Sequence, residues 1–184
     1  MLPSIETLQI LALQADEDRM SSPPVQTASA ANVPGGTEPE AKTRSRVLIV
    51  ENHPAVRQAL AIRINRQPDL EVCGETPDMA EALRFVADTQ PDVAVIDLSL
   101  RNGNAIDLIQ RIQDHNKSVG ILVWSMHSEV LYAGCALQAG ALGFITKDEA
   151  ANKIVDAIRR VAEGKIWLSA AMARKMLDRA IGRR

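Results

Sequence analysis

Cysteine is scarce: Cys73 and Cys135 are the only two in 184 residues, 62 positions apart. That excludes a disulfide framework and a four-ligand zinc site, and it points to a reducing compartment, the cytoplasm, with both thiols free. Long apolar runs are missing as well. Continuous stretches such as Val93 to Ile96 and Val119 to Trp124 fall far short of the ~20 residues that cross a bilayer, so no membrane partner is expected. The N-terminus carries Leu2, Ile5, Leu8, Ile10, Leu11 and Leu13, but Glu6 interrupts it. No basic leader or small-residue cleavage site accompanies it, which argues against a secretion signal. Charge of one sign is also lacking: 21 Lys+Arg stand against 23 Asp+Glu, a net charge of −2. Bulk binding to nucleic acid or anionic membrane is therefore disfavoured. No Gly-rich loop follows the first apolar run, and Gly140 and Gly143 precede a strand rather than a helix, which removes nucleotide binding of the phosphate-loop kind.

What is present is ordinary globular composition, 46% hydrophobic and 24% charged, enough for one core with a tail and no second full domain. Residues 21–45 combine Pro, Gly, Ser, Thr and Ala without an apolar period. Such a stretch buries too little to offset chain entropy and reads as a flexible linker. Ahead of it, Ile5, Leu8 and Leu11 share one face of a short, marginal helix with Ser4 as its cap. Residues 1–45 carry net −3 and residues 46–184 net +1. The extension is thus the acidic part.

From Arg46 onward the pattern alternates. Apolar runs at Val47–Val50, Leu70–Gly74, Val93–Ile96, Ile121–Trp124 and Leu142–Ile145 are each followed by a segment of helical period. Strands that are apolar throughout, rather than every second residue, need burial on both faces. Five such units predict a three-layer α/β domain over 46–168, with helices on both sides of a parallel sheet. Ser169 then caps a C-terminal amphipathic helix within 169–184. It carries Met172, Ala173, Met176, Leu177 and Ala180 on one side and Arg174, Lys175 and Arg179 on the other. With no core in view for that methionine stripe, a dimer or partner face is one reading of it.

In an open parallel sheet, ligands gather beyond the carboxyl ends of the strands. The residues there are Glu51 and Asn52 after the first strand, Asp97 and Ser99 after the third, Ser125 after the fourth, and Thr146 and Lys147 after the fifth. Neighbouring acids repel unless a cation lies between them, and oxygen donors favour magnesium over zinc. A carboxylate flanked by a divalent ion, an ammonium and a hydroxyl suits an aspartyl-phosphate, with Asp97 as nucleophile. His53 and His127 flank this group and His115 suits a helix end; none is assigned as a ligand.

The segments IVENHP, VIDLSLRNGNAIDLI, VWSMHS and GALGFITKD resemble the signature segments of a two-component response-regulator receiver domain. The run SMHSEVLYAGCALQAGALGFITK together with AIRRVAEGKIWLS is similar to the NarL/FixJ (LuxR-type) subfamily, whose members usually continue into a helix-turn-helix. The resemblance implies a flavodoxin-like (CheY-like) doubly wound sheet of strand order 2-1-3-4-5. It also implies phosphorylation of Asp97 by a histidine kinase or phosphotransfer protein, Mg2+ as cofactor, and a shape change on the face of helix four, strand five and helix five. Matched by position, Glu51 and Asn52 stand for the acidic pair, Ser125 for the switch hydroxyl, Lys147 for the lysine and Phe144 for the switch aromatic. Ser99 would lend its backbone carbonyl to the metal, and Ser99 and His127 would tune the phosphoryl lifetime.

One departure matters. Receivers usually carry aspartate where this chain has Asn52, so the metal site loses a charge and coordination weakens. Three readings therefore stay open: a phospho-accepting switch acting through protein contacts on an unidentified output protein, a pseudo-receiver that docks without phosphorylation, and part of a LuxR-type DNA-binding regulator. In none of them is the chain an enzyme beyond its own phosphoryl transfer and hydrolysis. The residues after Ser169 supply one helix at most, so specific nucleic-acid binding is not expected of this chain alone.

Overall fold

Val47 to Val50, Val93 to Ile96 and Ile121 to Val123 are buried without exception, which only a sheet covered on both faces allows. The computed structural model describes residues 44–100, 103–126 and 130–182. The helix and most of the linker expected within 1–45 lie outside the described residues, as do His127, Arg183 and Arg184.

The strands are β1 (Ser45–Val50), β2 (Leu70–Thr76), β3 (Val93–Asp97), β4 (Gly120–Ser125) and β5 (Gly143–Thr146). They form one sheet of order β2-β1-β3-β4-β5, and every pair is parallel. The helices are α1 (Pro54–Asn65), α2 (Met79–Thr89), α3 (Ala105–His115), α4 (Val130–Gln138), α5 (Lys147–Ala162) and α6 (Ala170–Ala180). The three-layer α/β domain expected from the alternation is observed, with the doubly wound strand order that the family resemblance implies. β1 starts at Ser45 rather than Val47, because the Ser45 N–H reaches the Asp69 carbonyl at 2.9 Å and begins the pairing with β2.

Alternation along each strand splits the core in two. Leu48, Val50, Ala94, Ile96, Ile121, Val123 and Phe144 meet α2, α3 and α4 on one face. Val47, Ile49, Val93, Val95, Leu122, Trp124 and Ile145 meet α1 and α5 on the other. Gly120 meets backbone at close range: an added Cβ would lie 2.7 Å from the Val161 carbonyl oxygen, so α5 sits on β4 at a distance only glycine permits.

The helix starts are written in the sequence. Asp78 accepts from the Glu81 N–H, Asn104 from Ile106, Thr146 from Glu149 and Ser169 from Met172, each satisfying an otherwise orphan donor. Pro54 occupies the first turn of α1. Beyond α5, Gly164 turns the chain at φ +73°, as expected of a glycine placed to end that helix.

The chain then crosses the outer edge of β5. Trp167 donates to the Leu142 carbonyl and accepts from the Phe144 N–H, both at 3.0 Å. α6 packs against α4 and buries Met172 and Met176 in the α2–α4 core. This corrects the reading of the methionine stripe as an unpartnered dimer face: it is core, while Arg174, Lys175 and Arg179 remain exposed on the far side.

Candidate functional site

Strand order reverses direction between β1 and β3, where the connections leave on opposite faces and open a crevice at the strand carboxyl ends. Glu51 follows β1 into this crevice and Asp97 closes β3 there. Both are almost wholly buried, at 1% and 3% exposure. Their counter-charge comes from the other side of β4. Lys147, the first residue of α5, places Nζ 2.7 Å from Glu51 Oε2 and 3.3 Å from Asp97 Oδ2. Its side chain is 12% exposed, so this ammonium is a site component and not a solvated surface lysine.

Glu51 is held firmly. Its Oε1 accepts from the His53 N–H at 2.8 Å, its N–H reaches the Thr76 carbonyl at 3.0 Å, and its carbonyl accepts from Arg57 Nη1 at 2.6 Å. Asp97 is held on one side only. Oδ2 faces Lys147, while Oδ1 is buried without a hydrogen-bond partner. Burial first, and then the negative charge of Glu51, lift the Asp97 carboxyl above its ordinary value. Lys147 and the nearby Ser99 backbone pull the other way without cancelling the rise.

Asn52 is half-buried, and its Nδ2 lies 3.5 Å from the Ser99 carbonyl oxygen. Asn52 and Ser99 therefore meet on the same rim as Asp97, as expected. Ser125 is buried at the end of β4 and Phe144 is buried in β5, one residue before the Ile145 that aligns with Trp124. Glu51, Asn52, Asp97, Ser99, Ser125 and Lys147 thus converge, with Phe144 beneath them. His53 caps α1 with its backbone alone, and His115 Nδ1 meets the Arg111 carbonyl at 2.8 Å, far from the crevice.

A hard cation fits this donor set. The available donors are all oxygens, and the unpartnered Asp97 Oδ1 is what such an ion would satisfy. Asn52 contributes a neutral oxygen where a carboxylate would add charge.

Sequence reasoning passed over Trp124. Its ring lies under Lys147, with Nζ 5.1 Å from the centroid. Its place in sequence, just before Ser125, was a weak signal; its alignment across the sheet with Asp97 comes only from the fold.

Among the described residues no helix is long and apolar enough to cross a membrane. Residues 47–159 match the response regulator receiver domain family, which is more than half of the chain. The chain is 33% identical over 134 residues to the transcriptional regulatory protein LiaR of Bacillus subtilis, covering 73% of this chain and 64% of that protein. It is 29% identical over 137 residues to the DNA-binding transcriptional activator DevR/DosR of Mycobacterium tuberculosis, covering 74% and 63%. It spans only 56–64% of the length of the curated relatives that it matches. Among solved structures, a LuxR-family two-component response regulator from an Aurantimonas species superposes with TM-score 0.71 at 30% identity, covering 76% of this chain and 99% of that one. The receiver domain of the NarL regulator of Mycobacterium tuberculosis gives TM-score 0.64 at 28% identity, covering 67% and 99%. By this match over more than half of its length, and by these relatives, the chain belongs to the receiver domains of two-component response regulators, in their NarL/LuxR-type branch.

Proposed function

We propose that this receiver is a phospho-accepting switch, with Asp97 as the acceptor and a histidine kinase or phosphotransfer protein as the donor. The observation that carries the reading is Asp97 itself: a buried carboxylate at a strand end with one oxygen on Lys147 and the other free. The free oxygen attacks the phosphorus of a phosphohistidine, the new O–P bond forms as the P–N bond breaks, and the electron pair stays with the imidazole nitrogen. Asp97 must be ionised for this, and burial and Glu51 lift its carboxyl above the ordinary value while Lys147 opposes the rise.

Mg2+ held by Glu51, Asn52, Asp97 and the Ser99 carbonyl would offset the charge of the phosphoryl oxygens. Lys147 is already beside Asp97 and would meet one of those oxygens; the Ser125 hydroxyl, at the adjacent strand end, would meet another. Burial of Phe144 next to the β5 edge supports a packing change there as the outcome. Ser99 and His127 would tune the phosphoryl lifetime, and the chain would otherwise catalyse nothing. The signal would leave through protein contacts in the cytoplasm. Several matched relatives are transcriptional regulators, and output on DNA would belong to a longer protein of that kind, since α6 is packed into the receiver core.

The test is incubation with a small-molecule phosphodonor and magnesium, read by intact mass, with Asp97→Asn as control. A gain of one phosphoryl group that the variant lacks is expected; no gain in a folded wild type overturns the reading. One observation favours the pseudo-receiver instead. Lys147 already bridges both acids and the Asn52 amide faces the Ser99 carbonyl, which gives the acids a counter-charge from the chain itself. Magnesium binding, followed by titration, separates the two.

A further inference from the structure

Lys147 has three N–H donors and two carboxylates to meet. Its remaining side faces the Trp124 indole, 5.1 Å from the ring centroid, a separation at which the ring quadrupole attracts an ammonium. Trp124 is an unusual choice for packing alone. It is 8% exposed and its indole N–H is buried with no hydrogen-bond partner, a penalty that leucine, methionine or phenylalanine in the same β4 position would avoid. What the indole supplies and the aliphatic residues lack is a broad π-face under the lysine. Trp124 also sits between Asp97 and Ile145 in the sheet, so the ring is fixed by the same row that fixes the acceptor.

Asn52 makes this contact matter more. With two carboxylates in place of three, the pull on the ammonium from the acidic side is weaker, and Glu51 at 2.7 Å competes with Asp97 at 3.3 Å for it. A π-face offers no lone pair to fix a third hydrogen bond, so it holds the ammonium near both acids and still lets it turn from one oxygen to another. We infer that Trp124 is a positioning residue, which holds the Lys147 ammonium by a cation–π contact where it can pass from the Asp97 carboxylate to a phosphoryl oxygen. The inference rests on the phospho-acceptor reading above.

Two measurements test it on the full chain. In the absence of any phosphodonor, the Lys147 ε-methylene protons should resonate upfield of those of the other lysines because of the ring current, and Trp124→Leu should return them to the ordinary position. In the presence of a small-molecule phosphodonor and magnesium, Trp124→Leu should phosphorylate about tenfold more slowly at saturating donor with little change in the donor KM, and Trp124→Phe should recover most of the loss. Should Trp124→Leu fail to fold, Trp124→Met against Trp124→Phe carries the same comparison at closer volume. Equal rates in the folded variants, or no ring-current shift in the wild type, overturn the positioning role while leaving the phospho-acceptor reading intact. A wild type that takes up no phosphoryl group overturns both, and an upfield shift that persists then marks the contact as packing only.

Discussion

Helix α5 is pinned at both ends by a cation, and the two pins are built in opposite ways. Near its C-terminal end, Arg159 meets Asp69 through two nearly parallel hydrogen bonds of 2.8 and 2.9 Å and Gln67 at 3.0 Å. That fork is fully matched and open to water, and the Asp69 hydrogen bond raises the guanidinium further above its ordinary value. At the other end, one Lys147 ammonium serves two buried carboxylates and leaves an oxygen of Asp97 with nothing. A clamp built only to hold is saturated. The crevice is left short by one charge and one partner, which is the arrangement expected where a further group must enter.

That contrast can be broken from either end. The largest effect belongs to Asp97→Asn, which should abolish phosphorylation completely, read by intact mass. The same substitution should make the folded chain harder to denature at neutral pH. The folded carboxyl sits above its ordinary value of 3.8, so the folded state binds the proton more tightly than the unfolded one. Stability of the wild type therefore falls as pH rises through the window between those two values, and stays lower above it. Asp97→Asn lacks this fall. Urea denaturation should show its advantage at pH 7, and the gap should narrow as pH falls through that window and be closed below 3.8.

Next comes Lys147→Met, which leaves Glu51 and Asp97 buried together without a counter-charge. A cost of about 3–5 kcal/mol is expected for breaking one side of such a cluster, measured by the same denaturation. Smaller again, Asn52→Asp should restore the missing negative charge and tighten magnesium binding on the order of tenfold. Equal affinity in the two proteins would remove Asn52 from the coordination sphere. The smallest effect is reserved for the saturated clamp. Arg159 and Asp69 are both more than a third exposed, water screens them, and Asp69→Ala should cost less than about 1 kcal/mol. A loss at Asp69 as large as that at Lys147 would erase the distinction between the two pins.

Much of this was legible in one dimension. The strand ends that carry Glu51, Asp97, Ser125 and Lys147 follow directly from apolar runs that stop at polar residues, and Ser169 announces its helix. These are local signals, each contained in a few consecutive residues. The direction of the Met172 and Met176 stripe was not legible, because amphipathicity tells that a face is buried and not against what. Its partner, α4, is about forty residues earlier and is reached only after the chain crosses β5. Trp124 escaped for a related reason. Inside an apolar strand it looks like any other core residue, and only the position of a lysine more than twenty residues away gives its ring a second role. Asn52 is the reverse case: the sequence exposes the altered charge at once, but its amide alongside the Ser99 carbonyl comes from how two loops meet.

The pairing of Trp167 with β5 reaches beyond signalling. A parallel sheet ends in two rows of unsatisfied peptide groups, and such rows recruit strands from other molecules. Here one row is met by the protein's own chain at Trp167, and the other, on β2, carries Glu71 and Glu75 and an extra residue, Cys73, where its register with β1 slips. The boundary of the self-sufficient unit is therefore set by solubility as much as by the crevice. A version cut before Trp167 would keep every residue of the crevice, yet it would offer to its neighbours a bare strand and the apolar surface of α4 that Met172 and Met176 had covered. Such a fragment should gather into oligomers, visible by light scattering, at concentrations where the longer chain stays dispersed.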